Sequence, residues 1–393
     1  MISMTVSKHS LIFGLSYALD IAGKNNLSHS KSTAYLSVMI SREIGLDEKV
    51  VTDIYYAALL HDIAISDEHV TRKYEADMMK RHCVLGEEIL KKLPLSGEIP
   101  KYVLYHHEYC NASGPFRLSG KDIPIGAQII CLASAFDDKF GRNEYYDMSL
   151  FLEILTWLDI NRKLFSKKII NAFSNLIKRE YFLLDYFNHE TKYILSDKIV
   201  IDDKVCYEME DVEKFALCFA DIIDRKSSFT FHHSMGIAKL AKSASAHLGY
   251  DDLTQNKMYI AGLLHDIGKL HVPLEILHKD GKLTPEERFE INKHAYFTRK
   301  ILGQIEGFEE IVNYASNHHE RINGAGYPYQ MAGCQLSELD KVMAICDVYQ
   351  ALTEERPYRA KLLPEQVWGI IDDMAENQHL DKMLIEKIKE VFD

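Results

Sequence analysis

The chain carries one pattern twice. In its second half, His233-Ser234 is followed by His265-Asp266, then by His294, and then by His318-His319-Glu320. In its first half, His29-Ser30 is followed by His61-Asp62, then by His82, and then by His106-His107-Glu108. The step from His29 to His61 equals the step from His233 to His265, and the step from His82 to His106 equals that from His294 to His318. The flanks agree: YYAALLHDIA at 55–64 answers YIAGLLHDIG at 259–268, and GEEILKKL at 86–93 answers TRKILGQI at 298–305. Two equal intervals between equal di- and tripeptides predict a tandem duplication, in which each half gives its own dispersed histidines the same neighbours. The middle interval differs, His61 to His82 being shorter than His265 to His294, and the extra length falls around HVPLEILHKDGKLTP at 271–285.

Helical periodicity dominates. The segments 32–46, 47–64, 149–165 and 364–378 place apolar residues three and four apart, the spacing of one helix face. Thr284, Pro285 and Glu287 form a capping box with proline at the first helical position, which puts His294 on a helix. Strand signals are confined to short pieces, chiefly KIVIDDKVCYEM at 198–209, read as a small hairpin or an extended connector. The expected fold class is all-α, two tandem helical bundles over 1–197 and 198–393. No low-complexity linker marks the boundary, which is placed in the 195–208 region.

A chain of 393 residues has room for two or three domains with sizeable cores. Its net charge of −12 argues against an extended grip on a DNA or RNA polymer, which needs a basic face, while leaving room for a small anionic ligand at a local cluster of cations. The seven cysteines are scattered and form no C-x-x-C pair, which suits thiols in a reducing cytosol. The N-terminus lacks the order of a signal peptide, and no apolar run approaches the roughly 20 residues of a membrane span. The expected location is the cytoplasm.

An imidazole beside a carboxylate inside an apolar run, as His265-Asp266 among Ile260, Leu263, Leu264 and Ile267, is costly to bury unless something pairs the two. A metal ion is the obvious partner, because the second half also supplies His233, His294, His318, His319 and Asp347. Seven such side chains can hold two divalent ions with one carboxylate bridging them. The mixed imidazole and carboxylate set, without cysteine, suits iron or manganese better than structural zinc. Each residue alone has a plainer reading as a satisfied core or surface histidine; the repeat is what favours a site.

Four segments carry a resemblance: HHS with His233, HDIGK at 265–269, HHERINGAGYP at 318–328 and AICDVYQALTEERPYR at 344–359. From about residue 208 to the C-terminus the chain resembles the HD-GYP phosphodiesterases, a branch of the HD superfamily. The resemblance implies two HD-type bundles, the second of HD-GYP type. It also implies a metal centre that hydrolyses a 3′-5′ phosphodiester bond of a bacterial cyclic dinucleotide, cyclic di-GMP or 3′,3′-cGAMP, to the linear dinucleotide. Carried over residue by residue, one metal takes His233, His265, Asp266 and Asp347, and the other takes Asp266 as a bridge with His294, His318 and His319. A glutamate that binds a third metal in some members is Phe229 here, so the centre is expected to be dinuclear. Lys269 matches the family's lysine, Gly324, Gly326, Tyr327 and Pro328 its loop, and Arg356 and Arg359 its substrate-phosphate positions.

Elementary chemistry is consistent with those roles. Two bridged cations lower the pKa of a shared water from 15.7 to about 7, giving a metal-bridging hydroxide that can attack phosphorus, and they offset the charge that builds on the phosphoryl oxygens. Lys269 could protonate the leaving oxygen, and Arg356 and Arg359, three apart, could clamp a phosphate. Gly324 and Gly326 allow close backbone approach and Tyr327 offers a ring for stacking, although N-G and G-Y-P also occur in ordinary turns.

The first half keeps His29, His61, Asp62, His82, His106 and His107, but the lysine becomes Ile65, the loop becomes NASGPF at 111–116, and Ser134 stands where Asp347 would fall. No arginine pair corresponds to Arg356 and Arg359. It reads as a degenerate copy with a structural or regulatory role, homodimer formation included, and with at most weak metal binding. Two other readings stay open: a non-catalytic cyclic-dinucleotide-responsive module, and another HD-superfamily chemistry on a di-iron site.

Overall fold

Spacings of three and four residues become helices that bury one face each. The computed structural model describes residues 4–23, 28–64, 76–143, 145–187, 204–226, 232–354 and 362–392. The first part of the chain forms β1 (Thr5–Ser7), α1 (Lys8–Ala22), α2 (His29–Ile44), α3 (Glu48–Leu60), α4 (Ala76–Leu90), α5 (Glu98–Leu104), α6 (Ile125–Phe140), α7 (Met148–Asn161), α8 (Lys167–Ile177) and α9 (Glu180–Phe187). The rest forms β2 (Cys206–Glu208), α10 (Met209–Lys226), α11 (His232–His247), α12 (Asp252–Leu264), α13 (Leu274–Leu277), α14 (Pro285–Leu302), α15 (Glu309–Ser316), α16 (Glu338–Thr353), α17 (Pro364–Glu376) and α18 (Lys382–Ile388). The protein is predominantly helical, as expected.

The described chain divides into two compact units, Leu15–Val205 and the pair of segments Met1–Gly14 and Cys206–Asp393. The boundary placed at 197/198 lies outside the described residues. The segment expected to form a hairpin or connector does neither in its described part: Cys206–Glu208 pairs antiparallel with Thr5–Ser7, Val6 opposite Tyr207. So short a strand has too few ladder bonds to stand alone, and this one gains its partner from the N-terminus while Val6 and Tyr207 are buried. The same N-terminal segment docks further on: Ser10 Oγ accepts from Glu306 N at 2.7 Å, and a Cβ on Gly14 would come within 2.4 Å of the Ile305 side chain.

In the second unit, α11 and α12 approach through Gly262, where a Cβ would sit 2.6 Å from Ala238 Cα. The run after α12 is not α-helical throughout. Helix α12 stops at Leu264 and residues Ile267–His271 make a 3-10 turn, because Gly268 is pressed against α14, where a Cβ would lie 1.9 Å from His294 O. Thr298 Oγ1 fixes the crossing by accepting from Gly268 N at 3.1 Å and donating to His265 O at 2.9 Å. The capping box of Thr284 and Glu287 starts α14 as its sequence predicts, and a second box, Ser337 with Asp340, starts the helix that carries Asp347. In the first unit α2 packs against α3, α6 and α8, beside a cluster of Phe136, Phe173, Tyr186 and Trp157.

Gly262→Ala tests the close approach. Helix propensity alone would favour alanine by about 1 kcal/mol, but the clash with Ala238 backbone reverses the sign. The expected outcome is a net loss of about 1–3 kcal/mol, read as a lower denaturant midpoint for the second unit.

Candidate metal centre

Backbone orients the histidines of the second unit. Helix α12 ends at Leu264 and leaves carbonyls without intrahelical partners; His265, the next residue, gives its Nδ1–H to Gly262 O at 2.8 Å. His318, just past the end of α15, gives its Nδ1–H to Ala315 O at 2.7 Å, and His294 within α14 gives its own to Ile291 O at 2.7 Å. A carbonyl can only accept, so these three imidazoles hold their proton on Nδ1 and present a bare Nε2. His233 is set by a carboxylate instead, its Nδ1 2.8 Å from Glu354 Oε2 just past α16.

These atoms meet in two groups. His233, His265 and Asp347 bring one ligand atom each to within 4.8 Å of the others, and so do His294, His318 and His319. Asp266 stands between the groups: Oδ2 is 3.1 Å from His265 Nε2 and 4.0 Å from His233 Nε2, and Oδ1 is 3.4 Å from His294 Nε2. All seven side chains singled out in the sequence therefore converge on one place. Lys269, in the 3-10 turn, reaches the same carboxylate with Nζ 2.5 Å from Asp266 Oδ2.

Apart from His265, which is buried but raised by the neighbouring Asp266, the protonation states suit a cation. Burial alone would raise Asp266, but His265, Lys269 and His294 hold it well below the usual carboxylate range. Burial pushes His318 and His319 well below the ordinary imidazole value, neighbouring imidazoles adding to the effect, and takes His294 down to about 4. The Nε2 atoms of His294 and His318 are 3.2 Å apart, yet both protons are committed to carbonyls, so two bare lone pairs face each other. His265 Nε2 and Asp266 Oδ1 are buried with no hydrogen-bond partner. Each stranded acceptor costs about 1–3 kcal/mol, and a shared cation removes that cost. The residues present fit divalent ions that accept nitrogen and oxygen donors.

The loop after His319 closes over this place. Gly324 adopts φ +76°, a conformation glycine takes without strain. A Cβ on Gly326 would come within 2.4 Å of Glu320 Cα. The Tyr327 ring lies against His319 with centroids 4.7 Å apart, and its N–H donates to His319 O at 3.2 Å, with Pro328 following. Arg356 and Arg359 lie outside the described residues, as do Ile65 and Phe229.

Comparison with known proteins then places the chain. The model of the HD domain family matches residues 17–150 and 218–384, more than half of the sequence. The chain belongs to the HD domain family. Membership implies a divalent metal site, and the clusters above supply its donors. Among HD-domain relatives, 3′3′-cGAMP-specific phosphodiesterase 1 of Vibrio cholerae serotype O1 is 28% identical over 98% of this chain and 92% of its own length. Cyclic di-GMP phosphodiesterase PA4108 of Pseudomonas aeruginosa is 39% identical over 33% of this chain and 32% of its own. A crystal structure described as cyclic GMP-AMP specific phosphodiesterases in V. cholerae (V-cGAP3) shares the fold, with a TM-score of 0.73 at 22% identity over 98% of both chains.

Five supporting carboxylates of this HD-domain protein are given no role by the sequence. Glu320 is buried and accepts from Tyr329 N at 2.8 Å and Met331 N at 2.9 Å, tying the far side of the loop back to its start; Glu108 does the same for Phe116 N and Leu118 N in the first unit. Their signal is the third member of the repeated His-His-Glu tripeptide. Asp224 accepts from Ser234 Oγ at 2.9 Å, and Asp20 from Ser30 N at 2.7 Å. Each aspartate stands at the same distance before the first histidine of its repeat, a match that could have exposed the pair. Glu354, which sets His233, has no such signal; its nearest analogue, Asp137, sits at a different repeat position.

Glu320→Gln keeps the size but can accept at only one end. The expected outcome is faster hydrogen exchange at the Tyr329 and Met331 amides, consistent with a loss of about 1–3 kcal/mol in the loop, with bound metal per chain unchanged.

Proposed function

We propose that this protein is a metal-dependent phosphodiesterase that opens 3′,3′-cGAMP to its linear dinucleotide, with cyclic di-GMP the weaker substrate. The observation that carries the reading is the pair of ligand groups around Asp266, with His233, His265 and Asp347 for one ion and His294, His318 and His319 for the other. The order of substrates rests on the relative that matches nearly end to end, which is named for 3′3′-cGAMP, whereas PA4108 matches one third of the chain. Iron(II) suits the donor set best and manganese(II) next. The seven cysteines form no disulfide, which supports a cytoplasmic setting.

Two divalent ions, when bound, acidify water and offset phosphate charge. The chain's own residues do the rest. Asp266 holds Lys269 at the centre, so that the ammonium can give a proton to the departing ribose oxygen. Tyr327, seated on His319, narrows the space beside the reacting phosphate, and the Glu320-held loop excludes water from that side. Arg356 and Arg359 hold the second phosphate. The first unit, lacking the lysine and the arginine pair, is a structural or regulatory partner.

Product chromatography of metal-reconstituted full-length protein tests this. 3′,3′-cGAMP should be linearised faster than cyclic di-GMP, chelation should abolish turnover, and Asp266→Ala should be inert. If both dinucleotides survive incubation with protein whose second unit is loaded with metal, the hydrolytic reading fails. Lys269→Met should keep both ions while kcat falls about 10²–10⁴-fold; an unchanged kcat would remove Lys269 from the proton transfer.

A further inference from the structure

The first unit holds a second histidine cluster that the proposed hydrolysis does not use. His82, His106 and His107 bring one nitrogen each to within 4.8 Å of the others. Asp62 Oδ1 lies 3.2 Å from His82 Nε2. His106 is wholly buried, gives its Nδ1–H to Val103 O at 2.6 Å, and has an Nε2 without a hydrogen-bond partner. His61 repeats the arrangement, donating from Nδ1 to Ala58 O at 2.7 Å and leaving Nε2 unpartnered 3.6 Å from Asp62 Oδ2. Imidazoles and a carboxylate buried together with stranded lone pairs are unfavourable as a core, and apolar residues would pack there at less cost. The arrangement is favourable around a cation, because helix-end carbonyls fix the tautomers that leave Nε2 bare.

We propose that the first unit binds one divalent transition-metal ion through Asp62, His82, His106 and His107. The neighbouring position is the poorer of the two: His29, His61 and Asp62 also bring ligand atoms within 4.8 Å of one another, but Ser134 stands where the second unit has Asp347, and Ser134 Oγ lies 3.4 Å from His29 Nε2, the nitrogen an ion there would need. The proposed ion ties the end of α3, the middle of α4 and the turn after α5 into one knot. With no counterpart of Lys269, its role is to stabilise that knot, whatever the second unit hydrolyses.

The test counts metal on the full chain. Protein stripped by chelator, reloaded anaerobically with Mn(II) and desalted should carry three ions per chain by elemental analysis. His106→Gln with His107→Gln should carry two, and Asp266→Ala with His318→Gln should carry one. The last protein should also gain several degrees in Tm when Mn(II) is added, by mass action on the native state. A wild-type chain with two ions, together with a second-unit variant that carries none and shows no shift in Tm, overturns the proposal even if the first-unit variant fails to fold. Loss of phosphodiesterase activity in the Asp266 variant bears only on the second unit, so the two claims fail separately.

Discussion

A carboxylate buried among imidazoles whose protons are already spoken for is the constraint on which the second unit depends. Asp266 touches His265, His294 and Lys269 within 3.4 Å, and the Nδ1 protons of both imidazoles are already given to backbone carbonyls. The surrounding helices are arranged to create this shortage. Helix α12 ends just before His265, so that its carbonyl claims the proton of that imidazole, and α15 ends where its carbonyl claims that of His318. Packing then makes the shortage permanent, because Gly268 lets α14 come close enough that the 3-10 turn cannot relax outward. Ligand supply, tautomer and close packing are thus three consequences of where two helices stop.

The repeat made most of this legible. Equal intervals between matching dipeptides mark pieces that share neighbours, so they located His233, His265, Asp266, His294, His318 and His319 together, while apolar spacings of three and four predicted the helical class. What escaped was whatever works through backbone. The tautomer of His265 depends on a carbonyl one turn back, and any residue has a carbonyl. Glu320 holds its loop through amides of Tyr329 and Met331, which carry no side-chain signature. The strand at 206–208 differs from its expected pairing because its partner is the N-terminus, and no local pattern names a partner so distant. Likewise, the apolar run around His265-Asp266 gives no sign of the tighter turn at Ile267–His271, since the reason for it sits on α14.

The two units share a loop design as well as a histidine pattern. Glu108 and Glu320 each accept two backbone N–H groups, and each loop closes on one isolated bridge, Asn111 to Ser119 and Asn323 to Ala332. The first unit has the same loop scaffold although its sequence there does not read G-A-G-Y-P. In both units the carboxylate serves folding, because losing it would strand buried amides whether or not anything is hydrolysed.

The pairing of β1 with β2 makes the first unit an insertion between a strand and its partner, not a preceding bead on a string. Anyone dissecting the protein by cutting before Cys206 would remove Thr5–Ser7 from the edge of β2, uncover Tyr207, and take Gly14 off Ile305. The separated fragment would be short of its own parts. Biochemistry on it would report on a wounded module, and any influence attributed to the missing first unit would be confounded with the missing strand. A fair dissection keeps residues 1–14 and bridges them to Cys206.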